Sequence, residues 1–301
     1  MKQPASFRSI RQRLSAIYGE ERPLLCLGLL GIVLGIIAFG VMAARGRFVP
    51  PEGYIYKAAT FDIAIGIYIL TIILYLPLSG LSSGGRRRWR LCSIALAIYA
   101  YAIENIQIYR GLDPRFTRVG SPADQIAGVL FGLSALGLII MFLVLTLRFF
   151  SRRNAVKNEL VLLGIRYACV ATISAFAAGF WLGTNQGSHV GATGSILPLH
   201  AAGFHGLQAI PLVALLLSWS EMRAGTARRW VHTAGVAWLI MMVAIARQTA
   251  AGRSVLEASP ATVLAALMLF VWFVCAAGAL VSCLRAFSAA QSFDADSSLA
   301  A

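Results

Sequence analysis

Eight runs of about 20 residues, at 24–44, 58–78, 89–109, 126–147, 160–182, 197–219, 230–250 and 262–286, are dominated by apolar side chains. A helix rises about 1.5 Å per residue, so each run is long enough to cross about 30 Å of hydrocarbon. Strands of a membrane barrel would show short segments alternating between apolar and polar residues, and these runs are solid instead. Charged residues make up only 13% of the chain, about half the share of a soluble domain. A water-soluble globule is excluded, and the spans leave no room for a soluble domain. The expected fold class is all-α, a polytopic membrane bundle of about eight transmembrane helices with the lipid bilayer as its partner. Three regions are expected: a basic cytoplasmic N-terminus over 1–23, a single transmembrane domain over 24–286 and a flexible cytoplasmic tail over 287–301.

The net charge of +14 would point to nucleic acid in a soluble protein, but here it is a matter of orientation, and no nucleic-acid partner is expected. Seventeen of the 26 basic residues fall at one set of alternate ends: Lys2, Arg8, Arg11, Arg13 and Arg22, then Arg86–Arg90, Arg148–Lys157, Arg223–Arg229 and Arg285. The opposite set holds eight, Arg45, Arg47, Lys57, Arg110, Arg115, Arg118, Arg247 and Arg253, and Arg166 lies within a span. The positive-inside rule then places both termini in the cytoplasm of a bacterial inner membrane. The first run is too long for the apolar core of a signal peptide and reads as an uncleaved helix. Trp89, Trp219 and Trp230 near the inner ends and Trp181 near an outer end read as interfacial anchors.

Five cysteines, Cys26, Cys92, Cys169, Cys275 and Cys283, lie within the apolar runs without a CxxC pair and read as packing residues. Gly31 and Gly35, and Gly128 and Gly132, have the small-xxx-small spacing that lets helix backbones approach. No internal repeat stands out by eye, so the inverted halves of many transporters are not expected.

Ionisable groups inside a membrane are expensive, so their positions are the most informative feature of the chain. Asp62, Glu104, Gln107, His200, His205, Gln208, Arg247 and Gln248 all fall toward one leaflet on four spans. They read either as a polar chamber open to the outer face or as interfacial groups that satisfy one another. Tyr101, Glu104 and Gln107 recur every third residue and share a face of span three, with Asn105 turned away. After that span, Gly111 permits a tight exit and Pro114 forces Asp113 out of helical geometry. Arg110 and Arg115 are candidates to clamp a carboxylate or phosphate. The alternative is internal pairing with Asp113, Glu104 or Asp124.

Span six carries His200-x4-His205-x2-Gln208-x2-Pro211. His200 and His205 are some 140° apart on a helix at about 100° per residue, so each needs partners elsewhere. Gly203 and Gly206 leave space for a ligand or a close helix, and Pro211 can kink the helix near His205. His205 is expected to be the histidine that matters most, because it lies deepest. In the uncharged loop before span six, His189 is the third imidazole that a haem or metal site with His200 and His205 would recruit.

Together, Glu104, Gln107 and the Arg110-Gly111-Leu112-Asp113-Pro114-Arg115-Phe116 stretch, the span-six histidine motif, and Arg247-Gln248 ahead of Gly252-Arg253 resemble a family of uncharacterised bacterial multi-pass membrane proteins. The resemblance runs from about residue 50 to 270 and implies an integral membrane fold, without a reaction or cofactor. Walker, GxGxxG, HExxH and GxSxG motifs are absent. Two function classes follow. The first is binding or transport of a small molecule or ion at the outward chamber, with Asp62 and Glu104 as proton or cation carriers, His200, His205, Gln107 and Gln208 as hydrogen-bonding groups, and Arg110, Arg115 or Arg247 as anion contacts. The second is a redox role with haem or copper on His205. A structural or assembly subunit is a third possibility.

Overall fold

The computed structural model describes residues 7–299, and for 7–11, 13–14 and 290–299 the backbone alone. Helix α1 (Phe7–Glu20) precedes eight helices that are long and apolar enough to cross a membrane: α2 (Arg22–Arg45), α3 (Ile55–Tyr75), α4 (Ser83–Tyr109), α5 (Pro122–Phe150), α6 (Glu159–Thr184), α7 (Leu197–Ser218), α8 (Ala224–Ala250) and α9 (Pro260–Leu299). The protein is a multi-pass α-helical membrane protein. Its only strands among the described residues form two hairpins, β1 (Phe48–Val49) with β2 (Gly53–Tyr54), and β3 (His189–Val190) with β4 (Gly194–Ser195). The stretch after Ala286, expected as a flexible tail, continues α9 as far as Leu299. No glycine or proline follows Gly278 to stop it, and residues 300–301 lie outside the described residues. Of the basic N-terminus, residues 1–6 also lie outside them.

The expected single transmembrane domain divides into two compact units, residues 13–155 and residues 156–301, the latter grouped with the first twelve residues. In the first, α2 lies against α3 backbone to backbone. A Cβ on Gly28 would meet Leu70, and one on Gly31 or Gly35 would meet the carbonyl of Asp62 or Ala59. These glycines are therefore the packing seam that the small-xxx-small spacing predicts. Gly132 faces open space, so that pair does not form a seam. Ser121 starts α5 with a capping box: its hydroxyl accepts from the Asp124 amide while the Asp124 carboxylate accepts from the Ser121 amide. Trp89 is not an interfacial anchor, because it is buried and donates to the Met141 carbonyl at 2.9 Å.

In the second unit, Gly203 packs on Ala171 and Ala175 of α6, and Gly206 on Ala171. The space those glycines leave is thus taken by a helix. Trp238 of α8 fills the remainder and donates to the Ala202 carbonyl at 3.0 Å.

The two units repeat one element order, helix, hairpin, helix, helix, helix, and a shift of 141 residues superimposes the bounds of α4 on those of α8. At that shift Gly46, Val49, Gly53 and Ile55 meet Gly187, Val190, Gly194 and Ile196, and Arg87-Arg88-Trp89 meets Arg228-Arg229-Trp230. Gln107 and Gly111 meet Gln248 and Gly252, both glycines having positive φ. The turn hydrogen bonds repeat as well. Glu52 N donates to Gly111 O at 2.8 Å and Thr193 N to Gly252 O at 3.0 Å; Ile55 N donates to Arg47 O at 3.0 Å and Ile196 N to Ser188 O at 2.9 Å. Ser121-Pro122-Ala123 opens α5 as Ser259-Pro260-Ala261 opens α9. The absence of an internal repeat, expected from the sequence, is thereby corrected. The matches sit at turns, caps and helix starts, where backbone geometry selects the residue, while the apolar runs between them share only composition.

Candidate functional site

The carboxylates set within the spans, Asp62 and Glu104, gather in the first unit, where α3, α4 and the loop 111–121 meet. Tyr101, Glu104 and Gln107 all face inward from α4, as their spacing predicts, and the Glu104 side chain is 0% exposed. Its Oε2 accepts from Arg115 Nη2 at 2.7 Å. Arg115 reaches it from the loop because Gly111, with φ +80°, and the Asp113 turn aim the chain back at the bundle. The Asp113 Oδ1 atom accepts from the amides of Arg115 at 2.9 Å and Phe116 at 3.0 Å, and its Oδ2 pairs with Lys57 at 2.7 Å. The guanidinium of Arg115 lies over the rings of Phe61 and Phe131, 5.2 and 4.9 Å from their centroids. It is 27% exposed, so it connects the surface to a carboxylate that has no surface of its own.

Asp62 on α3 is equally buried, and it has no cation in direct contact. Its Oδ2 accepts from Asn105 Nδ2 at 2.8 Å, and the same amide donates to the Tyr101 carbonyl at 2.9 Å. Asn105, expected to turn away, is therefore part of the site. Its i, i+4 bond to Tyr101 swings the amide toward α3. Asp62 and Glu104 are close enough for their charges to repel, and Arg115 attracts both. Three buried oxygens at this site have no hydrogen-bond partner among the described residues: Asp62 Oδ1, Glu104 Oε1 and the Tyr101 hydroxyl. Gly31 provides the room for that hydroxyl, since a Cβ there would strike it and the Asp62 carbonyl.

Around this centre lies a shell of satisfied charges. Arg110 Nη1 donates to Gln107 Oε1 at 2.8 Å and pairs with Asp124 at 2.6 Å, while Gln107 Nε2 donates to Asp124 at 3.0 Å. Arg110 and Arg115 are thus engaged with protein carboxylates, and the anion clamp gives way to internal pairing. Glu52, in the β1–β2 turn, accepts from Thr117 Oγ1 at 2.7 Å and from the Arg118 amide at 2.9 Å. Burial pushes the Asp113 and Glu52 carboxyls up. For Asp113 the Lys57 ammonium and two backbone amides outweigh it, and for Glu52 the Thr117 hydroxyl and the Arg118 and Asp113 amides do, so both stay below the usual carboxylate range. At the other end of the unit, Glu21 is fully buried in a two-pronged pair with Arg90, at 2.7 and 2.9 Å. Neither Glu52 nor Glu21 stood out in the sequence. Only for Glu21 was there a signal, two acids set among arginines and facing Arg86–Arg90.

The remaining expected site residues belong to the second unit, and they do not converge. His200 Nδ1 donates to the Ala175 carbonyl at 2.8 Å, and its ring meets Phe204 edge-on. His205 is exposed, which corrects its expected burial. The packed face of α7 runs through Leu199, Gly203, Gly206, Ile210 and Val213, and His205 projects away from it. Gln208 is half-buried, Arg247 is exposed and takes part in none of the ion pairs among the described residues, and His189 is exposed in β3. Gln248 beside Arg247 is the buried one, accepting from Ser259 Oγ at 2.6 Å and donating to the Ser254 carbonyl at 2.8 Å. His232 instead meets the Tyr167 hydroxyl at 2.9 Å. Among the described residues, no three His, Cys, Asp or Glu side chains come together as a metal-binding group. Compared with known protein families, curated proteins and solved structures, the chain matches none.

Proposed function

We propose that this is a bacterial inner-membrane protein of the multi-pass family its motifs resemble, with both termini in the cytoplasm. On this reading its first unit binds or transports a small ion or molecule at an outward-facing intramembrane site. The observation that carries the reading is the burial of two carboxylates, Asp62 and Glu104, against one guanidinium, with an unpartnered oxygen on each. A bundle that needed only stability would do better with apolar groups there, because buried charge is expensive in lipid. The test is the melting temperature of the full chain in detergent across a series of cations and pH values. Wild type should respond, and Asp62→Asn and Glu104→Gln should lose part or all of that response. A flat wild-type profile would contradict the reading. Sidedness is checked separately, with single cysteines in a Cys-free background. Ser121→Cys and Ser188→Cys should react with an impermeant maleimide on spheroplasts, and Ser83→Cys should not.

A further inference from the structure

The internal repeat separates scaffold from site. At the 141-residue shift the positions of Asp62, Tyr101, Glu104 and Asn105 are occupied by Gly203, Met242, Ile245 and Ala246. The hairpin, the positive-φ glycine, the buried glutamine and the Ser-Pro-Ala helix start are shared, so the four-helix module folds without any of the four polar residues. Arg115 belongs to the same difference, because the loop 112–120 that delivers it is three residues longer than its counterpart 253–258. The first copy therefore carries a coherent set of polar groups that its fold does not require, and that set includes all three unpartnered buried oxygens at the site.

Resting on the reading above, we infer that the species exchanged at this site is a proton carried by Asp62, while Glu104 stays ionised against Arg115. Charge decides between the two carboxylates. Glu104 has a guanidinium at 2.7 Å, whereas Asp62 has a neutral amide at 2.8 Å. A carboxylate in hydrocarbon without a direct counter-charge is expensive, so it takes up a neutralising species. The groups facing the pair are Lys57 from α3, Tyr101, Asn105 and Tyr109 from α4, and Asp113 and Arg115 from the loop; α2 presents the glycine backbone at Gly31, and α5 presents Phe131. Lys57 is bound to Asp113, so no second cation is available to Asp62.

Ligand number decides between a proton and a metal ion. A hard cation such as calcium takes about six to eight oxygens, more than the three left unpartnered here, and Arg115 would repel it. A proton needs one lone pair. It forms an O–H bond at Asp62 Oδ1, arrives from water at the partly exposed Arg115 end, and returns there when the bond breaks; no electrons move. It also turns an acceptor into a donor among three oxygens that otherwise hold only the Tyr101 hydrogen.

Infrared spectroscopy of the full chain in detergent reads this directly, through the carbonyl stretch of a protonated carboxyl and its shift in D2O. Wild type should show the band at neutral pH, Asp62→Asn should lose it, and Asp62→Glu should return it at a displaced frequency. A wild-type spectrum without the band, or a band that survives unchanged in Asp62→Asn, would overturn the inference. If Asp62→Asn does not fold, the displaced band in Asp62→Glu carries the test alone. Melting in sodium chloride against choline chloride separates the two levels of the claim. No carboxyl band, with sodium stabilisation that Asp62→Glu alters, would overturn the proton and leave the ion site standing; no band and no salt or pH response would overturn both.

Discussion

The two units are built on one plan and handle polar groups in opposite ways. Among the described residues of 13–155 the helix ends and spans carry five ion pairs, four of them engaging carboxylates that are mostly or fully buried: Arg90–Glu21, Arg115–Glu104, Arg110–Asp124 and Lys57–Asp113. In residues 156–299 the one ion pair among the described residues is Arg253–Glu257, exposed and four residues apart. There Gln248, His200 and Trp238 bond to backbone or hydroxyl groups, and the buried Trp272 indole N–H has no hydrogen-bond partner among the described residues. An identical scaffold can thus be stabilised without buried charge. The charges of the first copy call for a reason beyond folding, and the following experiments attack that contrast.

The largest effect should come from moving the charge to the wrong copy. Gly203→Asp puts a carboxylate where even a Cβ meets Ala175 at 2.5 Å and Ala171 O at 2.7 Å. Combining buried charge and overpacking, it should cost at least about 4 kcal/mol and abolish accumulation of folded protein. A stable Gly203→Asp would show that the copies are interchangeable, and the contrast would fail.

Arg115→Ala comes next. It leaves Glu104 buried without a partner and should cost about 3 kcal/mol in unfolding measured in mixed micelles. Arg115→Ala/Glu104→Leu should recover most of the loss, and Arg247→Ala in the other unit should stay within about 0.5 kcal/mol. Equal losses from Arg115→Ala and Arg247→Ala would contradict the assignment of the charge network to one copy.

The shared scaffold should respond alike in both copies. Gln107→Ala and Gln248→Ala each remove hydrogen bonds at equivalent helix ends and should each cost about 1–2 kcal/mol. A large inequality would mean that the glutamines do different jobs. Acid should again distinguish the copies. Asp113 and Glu52 are held below the ordinary carboxylate range, so the stability they contribute is present above about pH 4 and is lost as pH falls through their native values. Their counterparts are Ser254 and Thr193, so Asp113→Asn with Glu52→Gln should remove much of the acid sensitivity of melting below that pH.

The smallest effects should be among the histidines. His232→Ala breaks the bond to Tyr167 and should cost about 1 kcal/mol, and His205→Ala, at an exposed position, should cost less than about 0.5 kcal/mol. A larger loss at His205 would restore the weight its depth along α7 suggested.

That reversal shows where sequence reasoning stops. The spans were legible because about 20 apolar residues have few alternatives to a membrane helix, and α7 begins at the expected Leu197 while α4 and α8 end at the expected Tyr109 and Ala250. The inward face of Tyr101, Glu104 and Gln107 was legible because i, i+3 spacing survives any tertiary arrangement. Partner choice was not, since Arg110 and Arg115 lie within reach of three acids in sequence and only the turn at Gly111 assigns them. His205 was misread although a signal existed. Leu199, Gly203, Gly206, Ile210 and Val213 trace the packed face of α7, and His205 lies off that face by helical geometry alone. The repeat went unseen because the copies share turn and cap residues and differ at the polar positions that attract attention.

The central claim is that Asp62 serves exchange rather than folding, and the pH dependence of melting for wild type and Asp62→Asn tests it most directly. Wild-type stability should fall as pH rises from about 4, where Asp62 of the unfolded chain ionises, until the native Asp62 gives up its proton, because over that range the folded chain holds a proton the unfolded chain has released. Asp62→Asn keeps the bond to Asn105, so it should melt at or above the wild-type temperature with that slope removed. A variant that melts well below wild type and keeps the same slope would make Asp62 a structural residue and contradict the account.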